Sequence, residues 1–240
     1  MKITRKLKFA KGASNFFAKN SYVPLKEISA YEKYKDSKIN FTKNASIIFK
    51  KDPKYLTFLF SRYKFVSKMV DKNSLVAEFG AGEGFASPIV AANSKRLDLY
   101  DFYKPSYEEG KNFTKSFNNI KFYNKDILSL KIKNRYDFIY SLDVLEHISK
   151  KQEKLFFKSI VRNLKKNGSA IIGIPTLFFQ KYTSIENKSA HINCKNYDGF
   201  KNLCKKYFQN VFIFSMTDET LHTGFEKISP YLISICCFKK

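Results

Sequence analysis

A short apolar segment followed by alternating glycines, at residues 75–84, constrains this chain more than any other feature. Residues 75–79 are apolar except for Glu78, which is typical of a strand buried on both faces of a parallel sheet. Glycine then occupies every second position from 80 to 84, so the backbone can turn sharply and a ligand can approach closely. A helix predicted over residues 85–93 would point its free amides at this turn. The segment therefore predicts a nucleotide-type site in an open α/β sheet.

The spacing of the glycines limits the class of ligand that this site can bind. A dinucleotide fingerprint, G-x-G-x-x-G, would require glycine at position 85, where the chain has Phe85. This disfavours a nicotinamide-dependent oxidoreductase, which we keep as the alternative from another enzyme class. A lone glycine triplet can also be a tight turn without a ligand. The motifs further along the chain therefore decide between a binding site and a simple turn.

Length and composition indicate one folded domain. The chain has 240 residues with 44% hydrophobic content, which suits one α/β domain with a sizeable core. We predict an N-terminal extension with the role of a lid over residues 1–50 and the main domain over residues 51–240. An apolar run of about 18 residues is absent, and the first residues are too polar for a signal peptide, so we expect a cytoplasmic protein without a membrane span.

The formal net charge of +23 raises the question of a nucleic acid or an anionic surface as partner. The lysines are spread along the whole chain, however, and form no basic block. We therefore favour a generally basic, solvated surface over nucleic-acid binding.

The cysteines indicate reduced thiols rather than a metal site or disulfides. The four cysteines lack C-x-x-C spacing, and Cys236 and Cys237 are adjacent in a predicted strand. His191 and Cys194 have a spacing that zinc could use, but a second matched pair is missing. From sequence we expect no metal site.

Strand and helix patterns alternate from residue 75 onward, which predicts a doubly wound, mostly parallel sheet of seven strands, the Rossmann-like arrangement. A helix starting at Pro53, with Asp52 as its N-cap, is predicted to precede the first strand. A later helix should start at Ser149 and stop at Asn167 and Gly168. The predicted strands cover residues 75–79, 97–100, 120–123, 136–142, 170–174, 211–214 and 231–238.

Acidic residues recur at the ends of successive strands. Glu78 lies in the first strand, Asp101 ends the second and Asp126 follows the third. Asp101 lies near the offset of about 20 residues at which an acid reaches a ribose hydroxyl in nucleotide-binding folds. Taken alone, Asp101 could equally cap the next helix.

Five segments, in order, resemble the motifs of class I S-adenosylmethionine-dependent methyltransferases, most closely the small-molecule O-methyltransferases. They are EFGAGEG at 78–84, LDLYD at 97–101, NKDI at 124–127, YDFIYSLDVLEHI at 136–148 and GSAIIGIPT at 168–176. The resemblance implies that Gly80 and Gly82 approach the methionine moiety of S-adenosylmethionine, with Glu78 near its ammonium group. It also implies that Asp101 holds the ribose and that Phe102 lies along the adenine.

The same resemblance extends to the rest of the cofactor site. Asp126 and the backbone of Ile127 would bind the edge of the adenine. Ala81 and Leu142 would complete the set of residues that contact the cofactor. The transferable methyl group should then point toward SLDVLEH at residues 141–147.

Two residues of this segment are candidates for activating a hydroxyl acceptor. His147 titrates near neutrality when unperturbed and is the leading candidate base, and Asp143 is the second. Alternatively, the LEH segment only builds the start of a helix and orients the loop.

The acceptor is the least constrained part of the prediction. The LEH segment and the closing strands are similar to those of bacterial methyltransferases of surface polysaccharide or quinone synthesis, so we expect methyl transfer to oxygen on a small, sugar-like molecule. An RNA methyltransferase is the alternative that the charge suggests. Against it, the Asp-Pro-Pro-Tyr type of motif is missing where Ser141, Leu142 and Asp143 stand.

Two further groups of residues are candidates for contacting the acceptor or, equally, for ordinary loop and packing roles. The long loop predicted over residues 176–195 should border the acceptor pocket. The candidates are Phe178, Phe179, Tyr182 and His191 in that loop, and Asp218, Glu219, His222 and Thr223 nearer the C-terminus.

Overall fold

The computed structural model describes Lys33 and residues 38–240, of which residues 41–240 form one compact unit. Most of the predicted N-terminal extension lies outside the described residues, so its role as a lid stays a prediction. Among the described helices, none combines the length and the apolar character needed to cross a membrane.

The elements are labelled in chain order along the described residues. The helices are α1 Lys43–Lys51, α2 Tyr55–Met69, α3 Ser87–Ala91, α4 Lys104–Thr114, α5 Glu153–Asn163, α6 Ile185–Ala190 and α7 Tyr197–Lys205. The strands are β1 Leu75–Phe79, β2 Arg96–Asp101, β3 Ile120–Asn124, β4 Tyr136–Leu142, β5 Leu164–Pro175, β6 Phe208–Thr217, β7 Thr220–His222 and β8 Tyr231–Lys239. Two short 3₁₀ helices cover Leu145–His147 and Phe178–Tyr182.

The strands form one eight-stranded sheet in the order β3-β2-β1-β4-β5-β8-β6-β7. The first five strands pair in parallel, whereas β8, β6 and β7 pair in antiparallel fashion. The first strand, β1, is central, and β2 and β3 follow on one side of it. Strand β4 then pairs with the opposite side of β1. In such a sheet the crevice for a ligand lies where the winding reverses, at the carboxyl ends of β1 and β4.

The predicted fold class is confirmed, with one strand more than expected. The additional strand is β7, which has three residues and pairs only with the end of β6. Asp218 makes the turn between them with a positive φ of 49°. A strand this short carries no alternation of apolar and polar residues long enough to be recognised in a sequence.

Both faces of the sheet are buried, as the apolar strands predict. Helices α5 and α7 pack on one face, where Phe156, Ile160 and Phe200 meet Phe79 and Ile172 in one apolar cluster. Helices α2 and α3 cover the opposite face in a second cluster that contains Tyr63, Val66, Val90, Leu97 and Tyr140. This packing fixes the crevice edge of the sheet in place.

The helix predicted from Ser149 is shorter than expected at both ends. Helix α5 begins at Glu153, four residues after the predicted start. Helix α5 stops at Asn163, and residues 165–168 already belong to β5. The buried Asn163 amide explains the stop, since Oδ1 accepts from the backbone of Ile132 at 2.7 Å while Nδ2 donates to Leu130 O at 3.0 Å. The polar residues 165–168 therefore belong to β5 despite their helix-ending character, between Leu164 and Ser169, which pair with β4.

Two further helix starts differ from the prediction. Helix α2 begins at Tyr55, because Asp52 and Pro53 form a turn in which Asp52 Oδ1 accepts from Lys54 N at 3.2 Å. The helix after the glycine turn, α3, is only five residues long.

Candidate functional site

The glycine turn after β1 has the backbone that its sequence requires. Gly80, Gly82 and Gly84 have φ values of 79°, 56° and 63°, a region that other residues rarely adopt. A Cβ on Gly80 would overlap the side chain of Val144, whereas a Cβ on Gly82 would meet nothing within 4 Å. The backbone of Gly82 is therefore open to a ligand.

One hollow, the Asp101 hollow, lies beside this turn and measures about 550 Å3. Asp101 Oδ2 accepts from Gly82 N at 2.8 Å, and Oδ1 accepts from Tyr103 N at 2.8 Å. Burial raises the pKa of the Asp101 carboxyl above its ordinary value, and these two hydrogen bonds oppose the rise. Phe102 is 72% exposed at its rim. Asp126 and Ile127 line the same hollow, so the strand-end residues predicted to bind the cofactor lie together.

A second hollow, the His191 hollow, measures about 470 Å3 and lies on the other side of the turn. Ala81 and Leu142 line it, together with Phe179, Asn187 and His191 of the loop that follows β5. Four residues line both hollows: Gly80, Gly82, Asp143 and His147. The two hollows thus meet at the glycine turn and at the segment after β4.

Glu78 lies below the hollows rather than on their walls. It is 1% exposed, and its carboxylate accepts from Tyr63 at 2.6 Å, Ser87 at 2.5 Å and Tyr140 at 2.7 Å. Burial raises the pKa of Glu78 to about 7, although the three hydroxyl donors favour the charged form. These contacts tie β1 to α2, α3 and β4. The predicted position of Glu78 near an ammonium group stays a prediction.

Asp143 is held by an arginine that sequence reasoning missed. Arg62 donates to Asp143 Oδ2 at 2.7 Å and lies 3.9 Å above the ring of Tyr231. Burial lowers the pKa of the Arg62 guanidinium, but Asp143, Tyr231 and Tyr55 together raise it above its ordinary value. The sequence did offer one signal for Arg62, since it is a basic residue within the apolar stripe of α2. Asp143 itself has a φ of 57°, a backbone conformation that is uncommon outside glycine.

His147 and His191 both line the His191 hollow, and their rings contact each other edge to face with centroids 5.1 Å apart. His147 Nδ1 donates to Ala190 O at 3.0 Å, and His191 Nδ1 donates to Gln180 Oε1 at 2.9 Å. Burial and the nearby His147 lower the pKa of His191.

Glu146 completes this group and was not predicted as a site residue. Its side chain is 1% exposed and lines the His191 hollow. Within the described part of the chain, neither carboxylate oxygen has a hydrogen-bonding partner. Burial, and then the neighbouring Asp143, raises the pKa of Glu146 well above its ordinary value.

The second group of C-terminal candidates lies elsewhere. Asp218, Glu219 and His222 belong to the β6–β7 hairpin or its turn, and none of them lines either hollow. Phe179 lines the His191 hollow, whereas Phe178 and Tyr182 line a neighbouring depression.

Phe85, which breaks the dinucleotide spacing, has a packing role. Its ring lies 5.0 Å from Phe41, 5.6 Å from Phe60 and 5.5 Å from Phe113, measured between centroids. Beside it, Glu83 Oε2 accepts from Asn44 N at 2.8 Å at the start of α1. The turn thereby anchors the segment that covers one side of the His191 hollow.

Residues 76–168 match the model of a family described as methyltransferase domain. Over these residues the chain carries a methyltransferase domain, and S-adenosylmethionine is the cofactor. This finding removes the nicotinamide-dependent alternative. A comparison with curated protein sequences found no match.

Solved structures share the fold of this methyltransferase. The N-methyltransferase NodS from Bradyrhizobium japonicum is 16% identical, with a TM-score of 0.58 over 79% of this chain and 98% of that one. The methyltransferase in the Haloferax volcanii complex with the Trm112 activator is 11% identical, with a TM-score of 0.63 over 81% and 93%. A TehB-like methyltransferase from Corynebacterium glutamicum is 16% identical, with a TM-score of 0.56 over 75% and 87%. At these identities the likeness concerns the fold.

Proposed function

We propose that this methyltransferase transfers the methyl group of S-adenosylmethionine to a hydroxyl oxygen of a small, polar, sugar-like acceptor. The observation that carries the proposal is the meeting of two hollows at Gly80, Gly82, Asp143 and His147. A cofactor in the Asp101 hollow and an acceptor in the His191 hollow would adjoin at these shared residues.

The residues of the Asp101 hollow fit the cofactor. The open backbone at Gly82 supports close approach of the methionine moiety, and the Asp101 carboxylate retains lone pairs for ribose hydroxyls beside its two backbone donors. The exposed ring of Phe102 offers a flat apolar surface for adenine, with Asp126 and Ile127 at its edge.

The His191 hollow suits a small acceptor. Its volume of about 470 Å3 lies in the range of small-molecule sites. Asn187 and His191 offer hydrogen bonds, and the ring of Phe179 offers an apolar wall against which a sugar-like molecule could stack.

Bound S-adenosylmethionine supplies an electrophilic methyl carbon on a sulfonium sulfur. The chain aligns the acceptor oxygen with it, and such alignment can supply a large part of the rate. We propose His147 as the residue that acts on the hydroxyl, because its Nδ1 donates to Ala190 and its Nε2 keeps a lone pair. That lone pair can take the hydroxyl proton or bind a cation that acidifies the hydroxyl. Of these two roles, binding a cation is favoured because Glu146 and His191 lie beside His147 and offer further ligand atoms. Asp143, held by Arg62, is the second candidate for contact with the acceptor.

Titration calorimetry with S-adenosylmethionine tests the cofactor half. We expect Gly82→Val to abolish binding, because the side chain would fill the open space and strain a φ of 56°. Asp101→Ala should weaken binding by about 1–3 kcal/mol through lost charged hydrogen bonds. Asp71→Ala, in the turn before β1, is the control and should bind as the parent does. Equal affinity in all three variants would show that the site is misplaced.

A screen with methyl-labelled cofactor tests the acceptor half. Sugars, nucleotide sugars and transfer RNA would be offered in parallel, and we expect label on a small hydroxylated molecule. His147→Ala should lose turnover while it keeps nearly all cofactor affinity. Label only on transfer RNA would favour the second candidate function, RNA methylation, which the net charge of +23 supports.

A further inference from the structure

Glu146, His147 and His191 form a compact group of potential metal ligands at the wall of the His191 hollow. Each side chain offers one ligand atom, and the three atoms lie within 4.8 Å of one another. Two ligands bonded to one metal ion at about 2.1 Å are about 3–4 Å apart, so small side-chain rotations suffice to bring these atoms around one ion. His147 Nε2 and Glu146 Oε1 lie 3.9 Å apart.

The hydrogen bonds of the two histidines favour ligation. Each Nδ1–H donates to a fixed oxygen, Ala190 O for His147 and Gln180 Oε1 for His191. This arrangement selects the tautomer in which Nε2 carries the lone pair. Histidines that bind metals in proteins typically donate their other ring N–H to a carbonyl or carboxylate oxygen in this manner.

Glu146 provides an independent observation. A carboxylate that is 1% exposed and without a hydrogen-bonding partner among the described residues is costly to bury. Buried acidic groups are normally paired or coordinate a metal. Arg62, the cation that lowers the pKa of Glu146, is itself bonded to Asp143, at 2.7 Å. A metal ion at the Glu146 oxygens would compensate their burial.

We infer that Glu146, His147 and His191 bind one divalent transition-metal cation, such as Zn²⁺ or Mn²⁺, at the acceptor side of the active site. Two imidazole nitrogens and one carboxylate form a ligand set that zinc and other first-row metals accept, and three protein ligands leave a position open. The acceptor hydroxyl would occupy the open coordination position, an assignment that rests on the proposed function.

The cation would act as a Lewis acid on that hydroxyl. The hydroxyl proton passes to solvent water, and the oxygen forms a bond to the methyl carbon. The bond from that carbon to sulfur breaks, and its electron pair stays on sulfur, so the charges balance without an oxidant or reductant.

The sequence alone did not suggest this site. The expectation of no metal considered only His191 with Cys194, three residues away in the chain. The fold instead brings His191, in the loop after β5, to the 3₁₀ helix after β4 that carries Glu146 and His147. The ligands therefore come from segments separated by more than 40 residues.

Titration calorimetry of the chelator-treated full chain with ZnCl₂ tests the inference, and visible absorption of bound Co²⁺ provides a second readout. We expect one equivalent of metal to bind to the parent. His191→Ala and Glu146→Gln should each weaken binding at least about 100-fold, since losing a ligand costs more than the 10–100-fold typical of an outer partner. Gln180→Ala removes such an outer partner and should weaken binding about 10–100-fold.

The chain offers a matched control in its third histidine, His222, which packs against Phe225 with ring centroids 5.6 Å apart in the β6–β7 region. His222→Ala should bind zinc as tightly as the parent. Absence of stoichiometric binding to the parent, or equal binding by parent, His191→Ala and Glu146→Gln, would overturn the inference.

Calorimetry with S-adenosylmethionine on the same samples separates this inference from the proposed function. Cofactor binding and methyl transfer that persist without any metal binding would refute the metal site and leave the proposed function standing. Metal binding with the expected pattern in variants, without cofactor binding, would support the metal site and refute the proposed function.

Discussion

Glu78 shows at the scale of one residue how a site-like position can serve the core. The folded protein raises the pKa of this carboxyl to about 7 through burial, from 4.5 when exposed. Between these values the folded state holds a proton that the unfolded state has lost. Stability therefore falls as the pH rises from about 4.5 to about 7, by up to about 3 kcal/mol.

Glu78→Gln should remove this part of the pH dependence. Urea unfolding of parent and variant at pH 5 and pH 8 measures this effect. The difference in stability between the two proteins should shift by about 2.5 kcal/mol in favour of the variant at pH 8. Glu108→Gln, a change at an exposed acid, should follow the parent at both pH values. A parallel pH dependence in parent and Glu78→Gln would mean that Glu78 is not the group responsible.

The residues of the Asp101 hollow were predictable because the chain places them at strand ends. Asp101 and Asp126 follow β2 and β3, and parallel strands bring their carboxyl ends to one edge. Arg62 and Glu146 were not assigned, and His191 was predicted only as a candidate for contact with the acceptor. Their meeting depends on how α2 and the loop after β5 fold back over that edge. No sequence spacing encodes such a contact.

At the scale of elements, the bounds of buried strands were predicted more accurately than those of exposed segments. The bounds of β1 and β4 were predicted without error, because continuous apolar runs mark strands covered on both faces. The start of β5 was missed because residues 165–168 are polar and end a helix pattern. They become strand because Leu164 before them and Ser169 after them pair with β4, a tertiary contact that local propensity does not contain.

Helix α1 depends on two carboxylates at its N-terminus. Glu83 accepts from Asn44 N at 2.8 Å, and Glu109 accepts from Lys43 N at 3.0 Å. These amides lack partners within the helix, and a negative charge stabilises them. Because Thr42, Ala45 and Ile48 line the His191 hollow, the anchoring of α1 controls one wall of the site.

Glu83→Ala should therefore loosen α1 locally. We expect a loss of about 1 kcal/mol in the opening free energy of this helix, which corresponds to about fivefold faster amide hydrogen exchange over residues 43–51. Hydrogen-exchange mass spectrometry measures the change, and α5 serves as an internal reference whose exchange should stay constant. Unchanged exchange over residues 43–51 would show that Glu83 does not anchor the helix.

At the scale of the whole molecule, the sheet order explains why both hollows lie at one edge. The winding reverses between β1 and β4, so the glycine turn and the segment after β4 stand side by side. The antiparallel strands β8 and β6 extend the sheet beyond β5, and the loop that leaves β5 carries His191 back to the crevice. The sequence pattern predicted the crevice, whereas the loop path required the structure.

The net charge of +23 yields a test that separates the two candidate functions. If the charge serves only a solvated surface, transfer RNA should bind at low salt through phosphate contacts alone. A protein with 6–10 such contacts loses roughly 10³–10⁵ in affinity between 50 and 200 mM salt. Methyl transfer to a small neutral acceptor should change less than about twofold over that range, because a buried site exchanges few counterions. Rates measured with labelled cofactor at both salt concentrations, alongside filter binding of transfer RNA, provide the comparison. A methylation rate that falls in parallel with transfer RNA binding, with label on the RNA, would instead identify RNA as the acceptor.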